Sequence, residues 1–204
     1  MKKTLISFAA AAVLAGTVSA QAEDSVFAGP YAGLEIGYND FNYDAGPVDA
    51  SSDGFTYGGF AGYRYQLDSS ILLGAEARIG ESTASVDGGS SVTIDFGRQL
   101  GIDATVGTTF GEQDDILAFA FVGYENLRAT AHYAGEKASS DLDGIRFGVG
   151  GEYAFADNLS LRATFAYTDY ENDVRNIQLL TGLVYNLRVA ALTKSPPFRR
   201  AFCI

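Results

Sequence analysis

Eight stretches of this sequence alternate between apolar residues and small or polar ones, and this two-residue period limits the possible folds more than any other feature. In the first stretch, Leu34, Ile36 and Tyr38 alternate with Glu35 and Gly37. Successive side chains of a β-strand point to opposite faces, so a period of two is typical of a strand with two different faces. The last stretch, RNIQLLTGLVYNL, repeats the pattern. The sequence therefore predicts eight strands of about ten residues each.

The two faces of these strands differ in a way that indicates a membrane protein. One face is aliphatic and aromatic, whereas the other mixes glycine with glutamate, aspartate and arginine. This matches the signature of a transmembrane β-barrel, in which lipid-facing and lumen-facing residues alternate. A secreted soluble barrel that carries a ligand is the alternative, but it would have to bury isolated charges. The predicted fold is all-β: an eight-stranded antiparallel up-and-down transmembrane β-barrel.

The connections between the strands predict which end of the barrel faces outward. Short polar joints alternate along the chain with mostly longer ones, as periplasmic turns and exterior loops do in outer-membrane barrels. No proline occurs between Pro47 and Pro196, so no predicted strand loses a backbone donor. The predicted exterior loops are Asn39–Asp53, Glu81–Ser91, Asn126–Asp143 and the brief Asp169–Val174.

The charges on the polar face predict an ion-pair network inside the barrel. Glu152 and Arg162 each lie five residues from Asp157, as a cross-strand pair beside a tight turn does. An eight-stranded barrel encloses a space that side chains nearly fill, so such a network would plug the lumen. The alternative is a set of scattered surface ion pairs, which contribute little to stability. The predicted lumen residues are Glu35, Arg64, Glu76, Arg78, Asp95, Asp103, Arg146, Glu152 and Arg162, with Glu125 as a further candidate.

Aromatic residues on the apolar face predict two girdles at the membrane interfaces. The sequence has 12 Tyr and 14 Phe but no Trp, so Tyr and Phe must form both girdles. The predicted girdle residues are Tyr38, Tyr57, Tyr63, Tyr65, Phe96, Tyr153, Tyr167 and Tyr185.

The N-terminal residues have the pattern of a secretory signal peptide. Two lysines precede an apolar run from Leu5 to Gly16, and Ala20 and Ala22 follow in A-x-A spacing. A short membrane anchor is the alternative, although the run falls well short of the roughly 20 residues that a spanning helix needs. We expect residues 1–22 to be removed on export.

The C-terminal residues differ in composition from the rest of the chain. The predicted barrel domain comprises residues 23–187, and the tail 188–204 contains four basic residues, two prolines and the single cysteine, but no acid. We expect this tail to be disordered. A frameshifted or vector-derived end is the favoured explanation, and a native periplasmic tail is the alternative.

Several strings together resemble the small outer-membrane β-barrel family of Gram-negative bacteria, loosely called porin-like. They are GPYAGLEIGYN, GGFAGYRYQ, ILLGAEAR, GVGGEYAFADNLSLRATFAYTDY and TGLVYNL. The resemblance implies an integral outer-membrane protein, monomeric or weakly associating, that contacts lipid and lipopolysaccharide and is inserted by the barrel-assembly machinery. It implies a role in envelope integrity, surface contact or limited permeation. One departure is Leu187, which stands where such proteins usually end in an aromatic residue.

Composition and motifs exclude several other functions. The formal charge of −11 would repel the phosphates of nucleic acid. One histidine and one cysteine provide neither a His-rich metal site nor an internal disulfide. Acyl transfer needs a histidine beside a nucleophile; in barrels resembling lipid A deacylases a serine follows two positions after it, but after His132 that residue is Ala134. We therefore predict no catalytic residue, cofactor or metal, and rank narrow permeation, lipid modification and soluble carriage, in that order, as alternatives.

Overall fold

The computed structural model describes residues 25–44, 49–67, 70–87, 92–133, 136–171 and 174–187; the predicted signal peptide and tail lie outside these ranges. In the described part of the chain, no helix is long and apolar enough to cross a membrane. The described residues form nine strands: β1 (Gly29–Asp44), β2 (Asp49–Gln66), β3 (Ile71–Ser82), β4 (Ser85–Asp87), β5 (Val92–Phe110), β6 (Ile116–Tyr133), β7 (Glu136–Ala156), β8 (Leu159–Tyr170) and β9 (Val174–Asn186).

The eight long strands close into one barrel. Each pairs antiparallel with its neighbours along the chain, β1 also pairs with β9, and β3 pairs with β5. The three-residue β4 lies in the connection between β3 and β5 and pairs with β5. The prediction of an all-β, eight-stranded, antiparallel up-and-down barrel is therefore confirmed.

The apolar face of each strand is on the outside of the barrel. In β9, for example, Ile177 and Leu179 are exposed, whereas Asn176 and Gln178, which alternate with them, are buried. A soluble barrel has the opposite arrangement, with its apolar side chains turned inward. The exposure pattern is therefore that of a barrel surrounded by lipid, and it contradicts the soluble-carrier alternative.

The strands are longer at one end of the barrel than the alternation predicted. Most of the predicted exterior loops Asn39–Asp53 and Asn126–Asp143 are strand, since β1 continues to Asp44 and β6 to Tyr133. The predicted loop Glu81–Ser91 likewise contains the end of β3 and all of β4. Outside a bilayer the outer face of a strand meets water instead of lipid, so its apolar alternation ceases while backbone pairing continues. The sequence pattern therefore detected only the part of each strand that lies in lipid.

A bulge in β5 corrects two of the predicted site residues. The pairing of β5 with β6 shifts at Gly97 and Arg98, where two residues of β5 oppose one of β6. The extra residue reverses the alternation on its N-terminal side. Phe96 is therefore buried and stacks on Phe41 with ring centroids 4.4 Å apart, so its assignment to a girdle was wrong. The same reversal turns half-buried Asp95 away from the lumen, so its assignment to the network was also wrong.

Glycines on the inner face lie opposite large side chains of the neighbouring strand. Tyr31 pairs with Gly62 across β1 and β2, and Phe119 pairs with Gly150 across β6 and β7. A Cβ at Gly62 would come within 2.6 Å of the Tyr31 ring, and one at Gly150 would overlap the Phe119 ring. The lumen-facing glycines thus provide the space that the large interior side chains occupy.

Candidate functional site

The barrel interior holds a cluster of nine ionisable side chains, all on inward-facing strand positions. We call it the lumen charge cluster; it consists of Arg64, Arg78, Arg146, Arg162, Glu35, Glu76, Glu125, Glu152 and Asp103. Four arginines against five carboxylates give a formal charge of −1. The cluster consists of two groups, one nearer the short turns and one centred on Arg78.

The first group lies nearer the short turns and joins four strands. The Arg64 Nη1 atom is 2.7 Å from Glu152 Oε2. Arg162 bridges two acids, with Nε 3.1 Å from Glu152 Oε1 and Nη1 2.6 Å from Glu76 Oε2. The Tyr31 hydroxyl donates a hydrogen bond of 2.8 Å to Glu76, and its ring centroid lies 4.0 Å from the Arg64 guanidinium carbon. Two arginines and two glutamates balance in this group, so each buried charge has an opposite partner.

The second group is centred on Arg78 and carries one excess negative charge. Arg78 contacts three acids: its Nη1 lies 3.2 Å from Glu35 Oε1, its Nε lies 3.2 Å from Asp103 Oδ2, and its Nη2 donates a hydrogen bond to Glu125. Arg146 contacts two of the same acids, with Nη1 2.7 Å from Asp103 Oδ2 and Nε 3.4 Å from Glu125 Oε2. Two arginines therefore share three carboxylates. The shared acids connect β3, β5, β6 and β7 through side chains as well as through the backbone.

Most of the predicted lumen residues point inward, and most of the predicted girdle residues point outward. Every predicted lumen residue except Asp95 belongs to the lumen charge cluster, and so does the further candidate Glu125. The predicted girdle residues other than Phe96 point outward; six are exposed, and Tyr167 is half-buried with its ring 5.2 Å from that of Phe147. Their action as interfacial girdles stays a prediction. The six exposed residues are Tyr38, Tyr57, Tyr63, Tyr65, Tyr153 and Tyr185.

Sequence reasoning missed two apolar clusters in the lumen, one that extends inward from the short-turn end and one at the loop-side end. The short-turn apolar cluster consists of Phe27, Leu72, Leu117, Phe119, Phe121 and Ala166. The loop-side apolar cluster consists of Phe41, Ala84, Phe96, Leu127, Tyr170 and Val174. A signal for the first was present, because the segment ILAFAF at the start of β6 is apolar on both faces. A second apolar face on a barrel strand indicates an apolar lumen at that level.

Polar side chains lie between the second charge group and the loop-side apolar cluster. Gln178 Nε2 donates a hydrogen bond of 3.2 Å to Gln99 Oε1, and Asn39 Nδ2 donates one of 2.8 Å to Ser82. Glu35 and both glutamines help to line a small cavity with room for about one water molecule. His132 lies in β6, and its side chain is outside the described residues.

Comparison with known proteins places this geometry among outer-membrane barrels. Residues 8–186 match the family model described as outer membrane protein beta-barrel domain. The 31 kDa outer-membrane immunogenic protein of Brucella melitensis is 27% identical over 172 residues, which are 69% of this chain and 70% of that protein.

Two solved structures share the fold at low sequence identity. Neisserial surface protein A has a TM-score of 0.57 and 19% identity, with 78% of this chain and 98% of that chain covered. Ail, the attachment invasion locus protein of Yersinia pestis, has a TM-score of 0.54 and 18% identity, with the same coverage of both chains.

Proposed function

The chain belongs to the outer membrane protein beta-barrel domain family, and from this premise we propose that it serves surface contact and envelope integrity with a lumen closed by its own side chains. It is an integral outer-membrane protein, in the environment of lipid and lipopolysaccharide. The proposed role is not catalytic. The competing function is permeation of small solutes through a narrow lumen.

The ion pairs of the lumen charge cluster support a closed lumen. Arg146, Glu125 and Glu152 are each at most 2% exposed. Charged side chains stay solvated wherever water can reach them, so this burial indicates that water is excluded from the lumen at their level. The short-turn apolar cluster packs against the charges, the loop-side apolar cluster fills the other end of the lumen, and the small cavity beside Glu35 has room for about one water molecule. A barrel of eight strands has little space beyond what its side chains fill.

The edge of β7 supports surface contact, and it is the observation that carries this part of the proposal. β7 pairs with β6 from Glu136 onward, but its pairing with β8 starts only at Gly144. Within the described residues, the segment Glu136–Asp143 therefore has one neighbouring strand. An exposed strand edge offers backbone N–H and C=O groups to an extended segment of another protein. This edge lies opposite the short turns, at the end that faces the exterior in outer-membrane barrels.

The nature of the Brucella relative is in keeping with this role. That protein is described as an outer-membrane immunogenic protein, and exterior hairpins are the parts of a barrel that an antibody can reach on an intact cell. The exposed residues Ala138 to Asp141 of β7 would belong to such an exterior hairpin in this chain.

Conductance tests the closed lumen against permeation. The folded full-length protein, verified by its heat-modifiable migration, is placed in planar bilayers and in sugar-loaded vesicles. We expect conductance near that of a protein-free bilayer and no swelling beyond that of empty vesicles. Stable channel openings together with sugar uptake would support permeation and contradict the closed lumen.

Labelling of intact cells tests the position of the β7 edge. Ser139→Cys and Asp157→Cys are each made in a Cys203→Ser background and exposed to a membrane-impermeant maleimide. We expect the hairpin cysteine to react and the short-turn cysteine to remain unlabelled until the outer membrane is opened. The reverse pattern would contradict an exterior edge.

A further inference from the structure

The residues before β1 fold back into the mouth of the barrel. Phe27 is fully buried, and the backbone N–H of Ser25 donates a hydrogen bond of 2.8 Å to Oε1 of Gln66 at the end of β2. The N–H of Ala28 donates to the Ser25 carbonyl at 2.9 Å, and the N–H of Phe27 donates to the Ser25 hydroxyl at 3.3 Å. Residues Ser25–Ala28 thus form a hydrogen-bonded turn attached to the end of β2.

The Phe27 side chain is part of the short-turn apolar cluster. Leu72 and Leu117 of that cluster are the second residues of β3 and β6, which both begin at short turns. The cluster therefore begins at the short-turn mouth of the lumen, and Phe121 and Ala166 continue it inward. Its Phe119 ring lies 5.9 Å from the Arg64 guanidinium carbon and 5.3 Å from that of Arg162. The apolar cluster therefore adjoins the first group of the lumen charge cluster.

Gly29 gives the backbone the turn that directs this segment inward. Its φ is +102°, a conformation that residues with a side chain rarely adopt. A Cβ at this position would have the Leu187 carbonyl oxygen, 3.8 Å away, as its nearest neighbour. Space is therefore available, and the backbone conformation alone requires glycine. Gly29 is also the first residue of β1 and pairs with Arg64, so the turn joins the barrel directly.

We propose that Ser25–Gly29 is an N-terminal stopper that seals the short-turn mouth of the lumen, with the Phe27 ring as its apolar head. By excluding water, the stopper keeps the ion pairs of Arg64 and Arg162 in a low-dielectric interior, where opposite charges attract strongly. The inference rests on the proposed closed lumen, and it identifies the element that closes one end.

Thiol accessibility and conductance test the stopper in the full chain. Half-buried Ala154 packs against the short-turn apolar cluster, so Ala154→Cys in a Cys203→Ser background reports water entry through the labelling rate of a charged methanethiosulfonate. We expect Phe27→Ala to raise this rate about ten-fold or more and to raise ion conductance, since loss of a buried aromatic favours the open mouth. Phe27→Leu should remain near the parent. Phe165→Ala, which removes an exposed lipid-facing ring, is the matched control and should change neither readout.

A second variant decides the question if Phe27→Ala fails to fold. Gly29→Ala keeps every apolar side chain and disturbs only the backbone turn, so faster labelling would support the stopper and an unchanged rate would overturn it. In a folded Phe27→Ala protein, unchanged labelling and conductance would overturn the stopper while leaving the closed lumen standing. Channel activity of the parent protein itself would instead contradict the proposed function.

Discussion

At the scale of single residues, the barrel interior depends on large side chains facing glycines and on charges that share partners. The Phe119 ring occupies the space above Gly150, and Arg162 reaches both Glu76 and Glu152. Each arrangement restricts which residue the position accepts. A side chain at the glycine would displace the ring, and loss of the arginine would leave two buried carboxylates without their shared partner. Adjacent positions on the outer face carry neither constraint, so neighbouring residues should respond very differently to substitution.

The glycines at 150 and 151 provide the first matched pair. Gly150→Ala should destabilise the barrel by about 1 to 3 kcal/mol, because its Cβ overlaps the Phe119 ring and the core must shift. Gly151→Ala should be nearly neutral, since its Cβ would lie 3.8 Å from the nearest atom, the Leu117 carbonyl oxygen. The free energy of unfolding is measured by urea titration of the folded protein, followed by tyrosine fluorescence. Equal losses at the two positions would contradict the assigned faces.

The buried and exposed arginines provide the second pair. Arg162→Met should cost about 3 to 5 kcal/mol, because it leaves Glu76 and Glu152 buried without their shared partner. Arg128→Met removes an exposed pair with Asp141 and should cost less than about 1 kcal/mol. The same unfolding titration applies to both variants. A small loss for Arg162→Met would indicate that water reaches the first charge group.

At the scale of strands, the membrane determined which parts of the fold could be predicted. Leu179 and Gln178 in β9 face lipid and lumen respectively, so their difference in polarity revealed the strand and its phase. The continuation of β6 to Tyr133 showed no such difference between its two faces. The bulge at Arg98 was visible only as an interruption of an apolar face. Its effect on Phe96 could not be predicted, because it depends on backbone pairing with β6.

The stacked ring of Phe96 allows a test of the bulge. Phe96→Ala should loosen the loop-side apolar cluster, with a local loss of about 3 to 5 kcal/mol that is typical for a buried aromatic residue. Hydrogen exchange should then accelerate in the ends of β5 and β6 above the bulge, and the lipid-embedded segments should keep their protection. Phe55→Ala removes an exposed ring and serves as the control. Equal exchange in both variants would contradict an inward Phe96.

At the scale of the whole molecule, the distribution of side chains is inverted relative to a soluble protein. Leucine, isoleucine, valine and phenylalanine side chains cover the outside of the barrel, and the charged side chains meet in its interior. Lipid favours such an arrangement, because the closed ladder pairs the backbone, the outer side chains match the acyl chains, and the interior arginines and carboxylates form ion pairs. The stability of the molecule should therefore depend on the depth at which a charge is placed on its outer surface.

A charge introduced at two depths tests this dependence. Val149 is exposed and lies four residues beyond the predicted girdle residue Tyr153 on β7. If Tyr153 marks the interface, about 3.3 Å per residue and a tilt of roughly 40° place Val149 about 10 Å inside a lipid band about 25 Å tall. Val149→Arg should therefore cost about 2 to 4 kcal/mol, whereas Leu159→Arg, beside a short turn, should cost about 0 to 1 kcal/mol. Reversible unfolding in phospholipid vesicles measures both. A larger loss at Leu159 would show that the lipid band lies elsewhere on the barrel.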